Sequence, residues 1–499
     1  MRHIKWQWFL SMLLILQMLL GSAAAQTAEF PSGLLFDDAA YEKTPRQSME
    51  SGAKSSLPPA VDLSYYCPEV RHQGYIFSCV GWATGYGAMT IQRAILNSCT
   101  DKSVISQNAF SALFLYNQIK TSDCRQGSKI TDALSFLEEN GDCLAKHFDF
   151  DVNNCETRPD PPLVQNARRY AIEDYVTLFG SRDPAALKVA QVKKALAYKK
   201  PVIAGLSLLR NFYDLKNAKF WHPNIGNTAP AGGHALVVVG YDDRREAFRL
   251  FNSWGKEWGD EGYIWIKYAD FGQFCKYGFI LHLVAQETQP NIAKTPATLP
   301  EMPLTELSGE FSFRQFTGFG QYDNRPVFEN APMRLANGIY QTTQTSWQIG
   351  QRFQLLARTL RAEEYLYVFS IDPNRQVHFH WPRQEGLDTK FSGINESGLL
   401  IDQSAEVIIP GPNRVLKMEN PGTERLVVLF SKKKIHAVEK LAQIISRSQG
   451  DFISSLRYAL GKYAVPETDI FYHREKMFFQ ASSRSGGYIV PLVLEVTGN

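Results

Sequence analysis

Cys79, His234 and Asn252 are residue types, in chain order, that suit nucleophilic chemistry at sulfur. Cys79 closes the string Gln73-Gly-Tyr-Ile-Phe-Ser-Cys79 and is followed by Val-Gly-Trp82; Gly233-His234-Ala235 and Asn252-Ser-Trp-Gly255 come far downstream. A cysteine attacks as the thiolate, and a free thiol with a pKa of about 8.5 is mostly protonated at neutral pH. The positive end of a helix and a neighbouring imidazolium both lower that value. His234 would supply the imidazole, and Asn252 could fix its tautomer and rotamer, extending the nucleophile–base–orienter logic. Gln73 has a separate role: its amide can donate to the oxyanion of a tetrahedral intermediate, together with the Cys79 N–H. Trp254 follows Asn252 closely enough to shield the Asn–His contact from water. Each residue also has a bland reading. A buried Cys is commonly inert packing, a His before a strand is commonly structural, and Asn-Ser is commonly a turn. Their joint order favours chemistry, whereas His72, His147, His222 and His282 have no such context.

The elements around these residues can be read from pattern. Ser78 precedes an apolar, small-residue stretch from Cys79 to Leu96, which predicts a buried helix with Ser78 as N-cap. Its glycines weaken it as an isolated helix but let neighbours pack close. Residues 110–119, 130–139 and 189–198 read as further helices, the second stopped by Asn140-Gly141. After Pro201 the pattern changes to short strands at 202–206, 235–240, 247–251, 263–267 and 279–284. The fold class expected is therefore α+β, helical first and sheet-rich second. Residues 286–305 carry Gln, Thr and Pro without periodicity and read as a linker. From 306 to 499, strand-like runs at 365–369, 377–381, 406–409, 426–430 and 488–496, with helices near 435–445 and 452–460, predict a mostly-β second domain, sandwich or barrel.

At 499 residues the chain is too long for one core, and its 21% charged and 44% hydrophobic residues are ordinary for globular protein. A net charge of +3 excludes a strongly basic nucleic-acid binder. The densest basic run, Lys432-Lys433-Lys434, reads as a solvated turn. Arg2, His3 and Lys5, the apolar stretch 8–20 and Ala23-Ala24-Ala25 together read as a signal peptide (1–25) cleaved before Gln26, leaving no membrane span and a secreted or periplasmic protein. Seven cysteines in an oxidising compartment leave one unpaired. The pairing expected is Cys99–Cys124, Cys143–Cys155 and Cys67–Cys275, with Cys79 left over. No Cys-x-x-Cys spacing suggests zinc, and His378 with His380 lacks a third ligand, so no metal or cofactor is called for. Asn395-Glu-Ser397 is a glycosylation sequon in a eukaryotic source.

Residues 57–285 resemble the papain-like (C1) cysteine peptidases, especially bacterial members with Ser-Cys-Val-Gly-Trp at the nucleophile. The resemblance runs through Val61-Asp62, Gln73-Gly74, Ser78-Cys79, Cys124-x-x-Gly127, His234-Ala235, Gly240-Tyr241, Asn252-Ser-Trp-Gly-x-x-Trp258-Gly259 and Glu261-Gly-Tyr263. It implies two subdomains across a cleft, Cys79 on the helical side and His234 and Asn252 on the sheet side. It also implies a peptide substrate lying along Gly127 in an antiparallel, strand-like contact, with Phe77, Gly233, Trp254 and Trp258 lining the path. There are departures. Phe77 stands two before the nucleophile, where relatives have Gly, and is expected to narrow the cleft. Ile76 stands where many relatives have a disulfide cysteine, so Cys124 must find a different partner or none. Residues 26–56, a linker or short pro-segment, are too short for the long inhibitory pro-domain of many relatives. The C-terminal domain resembles an uncharacterised β-rich module found behind bacterial peptidases and is expected to dock the enzyme on a substrate or surface. The activity implied is that of an exported endopeptidase. Two alternatives stand beside it: a transpeptidase or amidase acting on cell-wall peptides, and a catalytically inactive peptide-binding protein.

Overall fold

Apolar residues at 79–96 and 202–282 build two walls that meet along one buried seam. The computed structural model describes residues 30–48, 57–283 and 304–499, apart from 150, 224, 225, 227, 228, 323, 324 and 345. The expected signal peptide and cleavage site, and residues 286–303 of the expected linker, lie outside the described residues.

The helical wall centres on residues 79–96, where Cys79–Gly81 and Thr90–Leu96 are α-helical and Trp82–Met89 has π spacing. Every residue from Cys79 to Gln92 is buried, as suits a helix apolar on all sides. Ser78 holds the N-cap position as expected, but its hydroxyl makes no capping hydrogen bond. A Cβ on Gly87 would stand 2.7 Å from Val237 Cγ2, so the missing side chain sets the distance between helix and sheet. Helices Ala112–Ile119, Ile130–Asn140 and Ala185–Ala197 match the expected ones to within a few residues.

The sheet wall comprises β1 (Ala60–Asp62), β2 (Asp174–Thr177), β3 (Val202–Leu209), β4 (Phe220–Trp221), β5 (Pro230–Asp242), β6 (Ala247–Phe251), β7 (Tyr263–Lys267) and β8 (Cys275–His282). Their order is β2-β8-β3-β5-β6-β7-β4, with β1 on β5. Pairing is antiparallel except between β4 and β7. The short β2 is not visible in the sequence pattern, because only four residues carry it.

Residues 304–499 form two seven-stranded sheets packed face to face. Phe313, Leu355 and Phe479 of one meet Leu366, Val428 and Leu492 of the other in a shared core. This is the sandwich form of the expectation, with helices Val438–Arg447 and Phe452–Leu460 as its helical excursion.

The cysteine pairing differs from expectation. Cys124 bonds Cys155, and Cys67, Cys79, Cys99, Cys143 and Cys275 are free. The chain brings Cys124 and Cys155 to a Cα separation of 5.5 Å, within bridging range. Cys67 and Cys275 instead sit in separate buried settings, each with its own backbone carbonyl acceptor, Leu63 and Tyr277.

The lysine run is not all solvated either. Lys434 Nζ reaches Asp174 at 2.8 Å and Glu138 at 2.9 Å, tying the C-terminal β-region to β2 and to the 130–140 helix. Lys194–Asp402 and Lys200–Glu363, both 2.7 Å, span the same junction. Removing one partner strands a buried charge. Lys434→Ala is expected to lower unfolding stability by about 3 kcal/mol, read as a fall in denaturation midpoint; an unchanged midpoint would show that Asp174 finds water or another cation.

Candidate functional site

Register brings the candidate residues together. β5 and β6 are antiparallel neighbours with Val237 opposite Phe251, so His234, three residues before Val237, comes beside Asn252, one residue after Phe251. Asn252 Oδ1 accepts from His234 Nε2 at 2.7 Å. That bond places the proton on Nε2 and leaves Nδ1 as the basic nitrogen; Nδ1 has no hydrogen-bond partner. The Trp254 ring covers the imidazole, with centroids 4.4 Å apart. Trp258 backs Trp254 edge-on at 5.4 Å and donates to the Phe212 carbonyl at 3.0 Å.

Gln73 is fixed from both ends. Its backbone N–H donates to Ser253 O at 2.8 Å, and Ser253 Oγ donates to its Oε1 at 2.7 Å. The amide nitrogen is thereby turned outward as a donor. Ser253 is a residue the sequence reading passed over, although it sits inside the Asn-Ser-Trp-Gly motif. It couples the residue that orients the imidazole to the amide opposite the thiol.

The cleft between these walls is filled by the chain's own residues 30–36. Phe30 stacks on Trp254 at 5.2 Å. The Pro31 carbonyl accepts from Gln73 Nε2 at 3.1 Å and from Trp254 Nε1 at 3.3 Å. Gly33 N donates to Cys79 Sγ at 3.2 Å. Leu34 N donates to Gly233 O, and Gly33 O and Leu35 N bond Ser128 N and O, all at 2.9–3.1 Å. The segment is thus a strand held on both edges, antiparallel to Gly233 and parallel to Ser128. Its direction against the 127–128 wall is opposite to the antiparallel contact implied for a substrate. Main-chain bonds on that wall come from Ser128; Gly127 contributes the space, because a Cβ there would overlap the Gly33 carbonyl. Phe77 is half-buried and leaves the passage open to glycine: a Cβ on Gly33 would overlap the Phe77 carbonyl and stand 2.7 Å from Phe77 Cβ.

Beyond the cleft this strap is anchored by side chains. Asp37 caps the helix Asp38–Lys43 and pairs with Lys129 at 2.8 Å. Tyr41, 1% exposed, stacks on Tyr277 and donates to Phe179 O at 2.6 Å.

Sealing the cleft decides the charges in it. Burial pushes the Cys79 thiol up to about 11, although the Ala235, Gly33 and Val80 backbone groups act the other way. Burial likewise lowers His234 to about 4, against the Asn252 bond. The strapped pair is therefore neutral thiol and neutral imidazole, not the low-pKa thiolate that a helix N-terminus alone suggests. Elsewhere, His380 hydrogen-bonds Ser370 at 2.9 Å, and His378 lies 3.5 Å from Asp372.

Residues 57–278 match the model of the papain family of cysteine proteases. The match ends before the C-terminal sheets begin. The papain-like part is 24% identical over 198 residues to an uncharacterized peptidase C1-like protein of Acanthamoeba polyphaga mimivirus, covering 36% of this chain and 64% of that protein. It is 27% identical over 256 residues to cathepsin S of Mus musculus, covering 47% of this chain and 69% of that protein. Xylellain, a cysteine protease from Xylella fastidiosa, is similar at 23% identity and a TM-score of 0.43, covering 52% of this chain and 97% of that structure.

Proton linkage follows from the strapped site. Burial holds His234 down to about 4 against an ordinary 6.5, so protons favour any state in which the ring is solvated. The imidazole's contribution to the closed state is full above about 6.5 and is lost as pH falls toward about 4. The thiol mirrors this: its contribution is full below about 8.5 and is lost as pH rises through about 11. An NMR titration of the histidine rings in the intact chain is expected to show two imidazoles still neutral at pH 5, that of His380, which burial lowers to about 3, and one that is absent in His234→Gln. A normal titration near 6.5 would contradict a sealed site.

Proposed function

We propose that the chain is an exported papain-like cysteine endopeptidase, held latent in this structure by its own residues 30–48. The observation that carries this reading is one backbone lying in reach of both chemical groups: the Gly33 N–H on Cys79 Sγ and the Pro31 carbonyl on the Gln73 amide. A peptide running the other way through the same slot would turn an electrophilic carbonyl toward the thiol.

In the open cleft, Cys79 gives its proton to His234 Nδ1, and the sulfur attacks the scissile carbonyl carbon. The oxyanion is held by Gln73 Nε2 and the Cys79 N–H. His234 passes the proton to the leaving amine as the C–N bond breaks, giving a thioester. Water then loses a proton to His234 and attacks the thioester carbon, releasing the carboxylate product and restoring the thiol. Asn252 keeps the ring in the tautomer both steps need, and Ser253 keeps Gln73 pointing into the slot. Trp254, Gly127, Ser128, Phe77 and Gly233 shape the path of the substrate chain.

Export is supported by the basic start, apolar stretch and Ala-Ala-Ala step of the N-terminus, and by the Cys124–Cys155 bridge. Among the described residues, no helix is long and apolar enough to cross a membrane.

The strap must leave before turnover, so the assay begins with an acid pre-incubation followed by a peptide library or casein at neutral pH. Wild type is expected to cleave with new free carboxylates as products, and Cys79→Ala to be inert. Gln73→Ala is expected to lose about 10²–10³-fold in kcat. Equal cleavage by wild type and Cys79→Ala would overturn the mechanism, and transfer to an added amine in place of hydrolysis would reassign the acceptor.

A further inference from the structure

Residues 44–48 leave the cleft and enter a second groove, whose walls come from different parts of the chain. One wall is β2. Thr177 N donates to Pro45 O at 3.0 Å, and Gln47 N donates to Thr177 O at 2.8 Å. The other wall is the segment 395–399 of the C-terminal β-region. Arg46 N donates to Asn395 O at 2.7 Å, and Ser397 N donates to Arg46 O at 2.8 Å. Arg46 forms parallel bridges to both Thr177 and Glu396. Successive residues of the strap tail thus bond alternately left and right, as in the middle strand of a sheet.

We propose that this groove is a peptide-binding slot separate from the cleft, that the strap tail is its ligand, and that through it the C-terminal β-region holds residues 30–36 over Cys79. Recognition is of an extended main chain with few side-chain demands. Pro45 fits because the slot uses its carbonyl and asks for no N–H. The side-chain contacts that exist favour this tail. The Asn395 amide donates to the Lys43 carbonyl, and Gln47 Nε2 donates to Leu399 O at 3.1 Å. Gln47 and Ser48 are each 1% exposed.

The slot has walls that do not depend on its ligand. β2 carries Thr177 at one end and Asp174 at the other, and Asp174 is paired with Lys434 of the C-terminal β-region at 2.8 Å. Lys194–Asp402 and Lys200–Glu363 brace the same junction without any strap residue. Cleft and slot are joined through the rigid helix Asp38–Lys43, so occupancy of one keeps the other end at high effective concentration. Asn395, which the sequence marks as part of a sequon, here makes a contact that a glycan would occupy.

The inference rests on reading the strap as the occupant of a peptidase cleft, but docking can be measured whether or not Cys79 cuts peptide bonds. Hydrogen exchange of the full chain at pH 7 is compared for wild type, Asn395→Asp and Arg46→Pro. In both variants, peptides covering residues 33–35 and the Gln47 amide are expected to exchange at least tenfold faster, while the 79–96 helix keeps its protection. If Gln47 speeds up and residues 33–35 keep the wild-type rate, or if neither changes, the slot does not hold the strap and the proposal fails. Should Asn395→Asp disturb the C-terminal fold, Arg46→Pro is read against Arg46→Ala, which loses the same side-chain pairs with Glu42 and Asp183 but keeps the N–H on Asn395 O; equal exchange in the two overturns the proposal.

Discussion

A segment of seven residues, bridged at Leu34 to both walls and laid over one sulfur atom, is the constraint on which the site depends. It occupies Gln73 Nε2, Gly233 O, and Ser128 N and O, groups that line the path proposed for a substrate. It approaches them in a direction that puts an N–H, not a carbonyl carbon, against Cys79. The helical wall, the sheet wall and the Gln73–Ser253 link all end at this strand. The absence of a side chain at Gly33 and at Gly127 is what lets the backbones close on one another.

The electrostatics follow from that closure. A helix terminus is worth typically 0.3–1 kcal/mol to a nearby anion, up to about 2. The rise of the thiol from 9.0 to about 11 corresponds to roughly 3 kcal/mol against the thiolate. Desolvation outweighs the helix, so exclusion of water keeps the Cys79 thiol protonated while the strand obstructs it. The imidazole moves the opposite way for the same reason. In the proposed mechanism, departure of the strap is the event that would return both groups toward the values that proton transfer between them needs.

The sequence reveals the two walls because their residues repeat with strong periods. Strands 247–251 and 263–267 and the buried 79–96 helix are legible from apolar alternation and small-residue content alone. Gln73, Cys79, His234 and Asn252 stand out because reactive types at those spacings are rare. The strap is illegible: Pro31, Ser32 and Gly33 have no period, and their order comes from pairing with strands distant in sequence. Ser253 escapes for a different reason, since its role depends on a side-chain rotamer. The disulfide and Lys434 fail through tertiary context: Cys155 meets Cys124 across a sequence separation of 31, and Lys434 meets Asp174 only across a junction between two parts of the fold.

The most direct measurement is the rate of iodoacetamide labelling at each free thiol of the intact chain near pH 8, resolved by peptide mass. Cys99, partly exposed, serves as the internal standard, and Cys79 is the reporter. A sealed strand predicts that Cys79 labels at least a hundredfold more slowly than Cys99 in wild type. It also predicts that Gly33→Val, whose side chain overlaps Phe77, makes Cys79 the faster of the two. Rapid labelling of Cys79 in the intact wild-type chain would contradict the account at its centre.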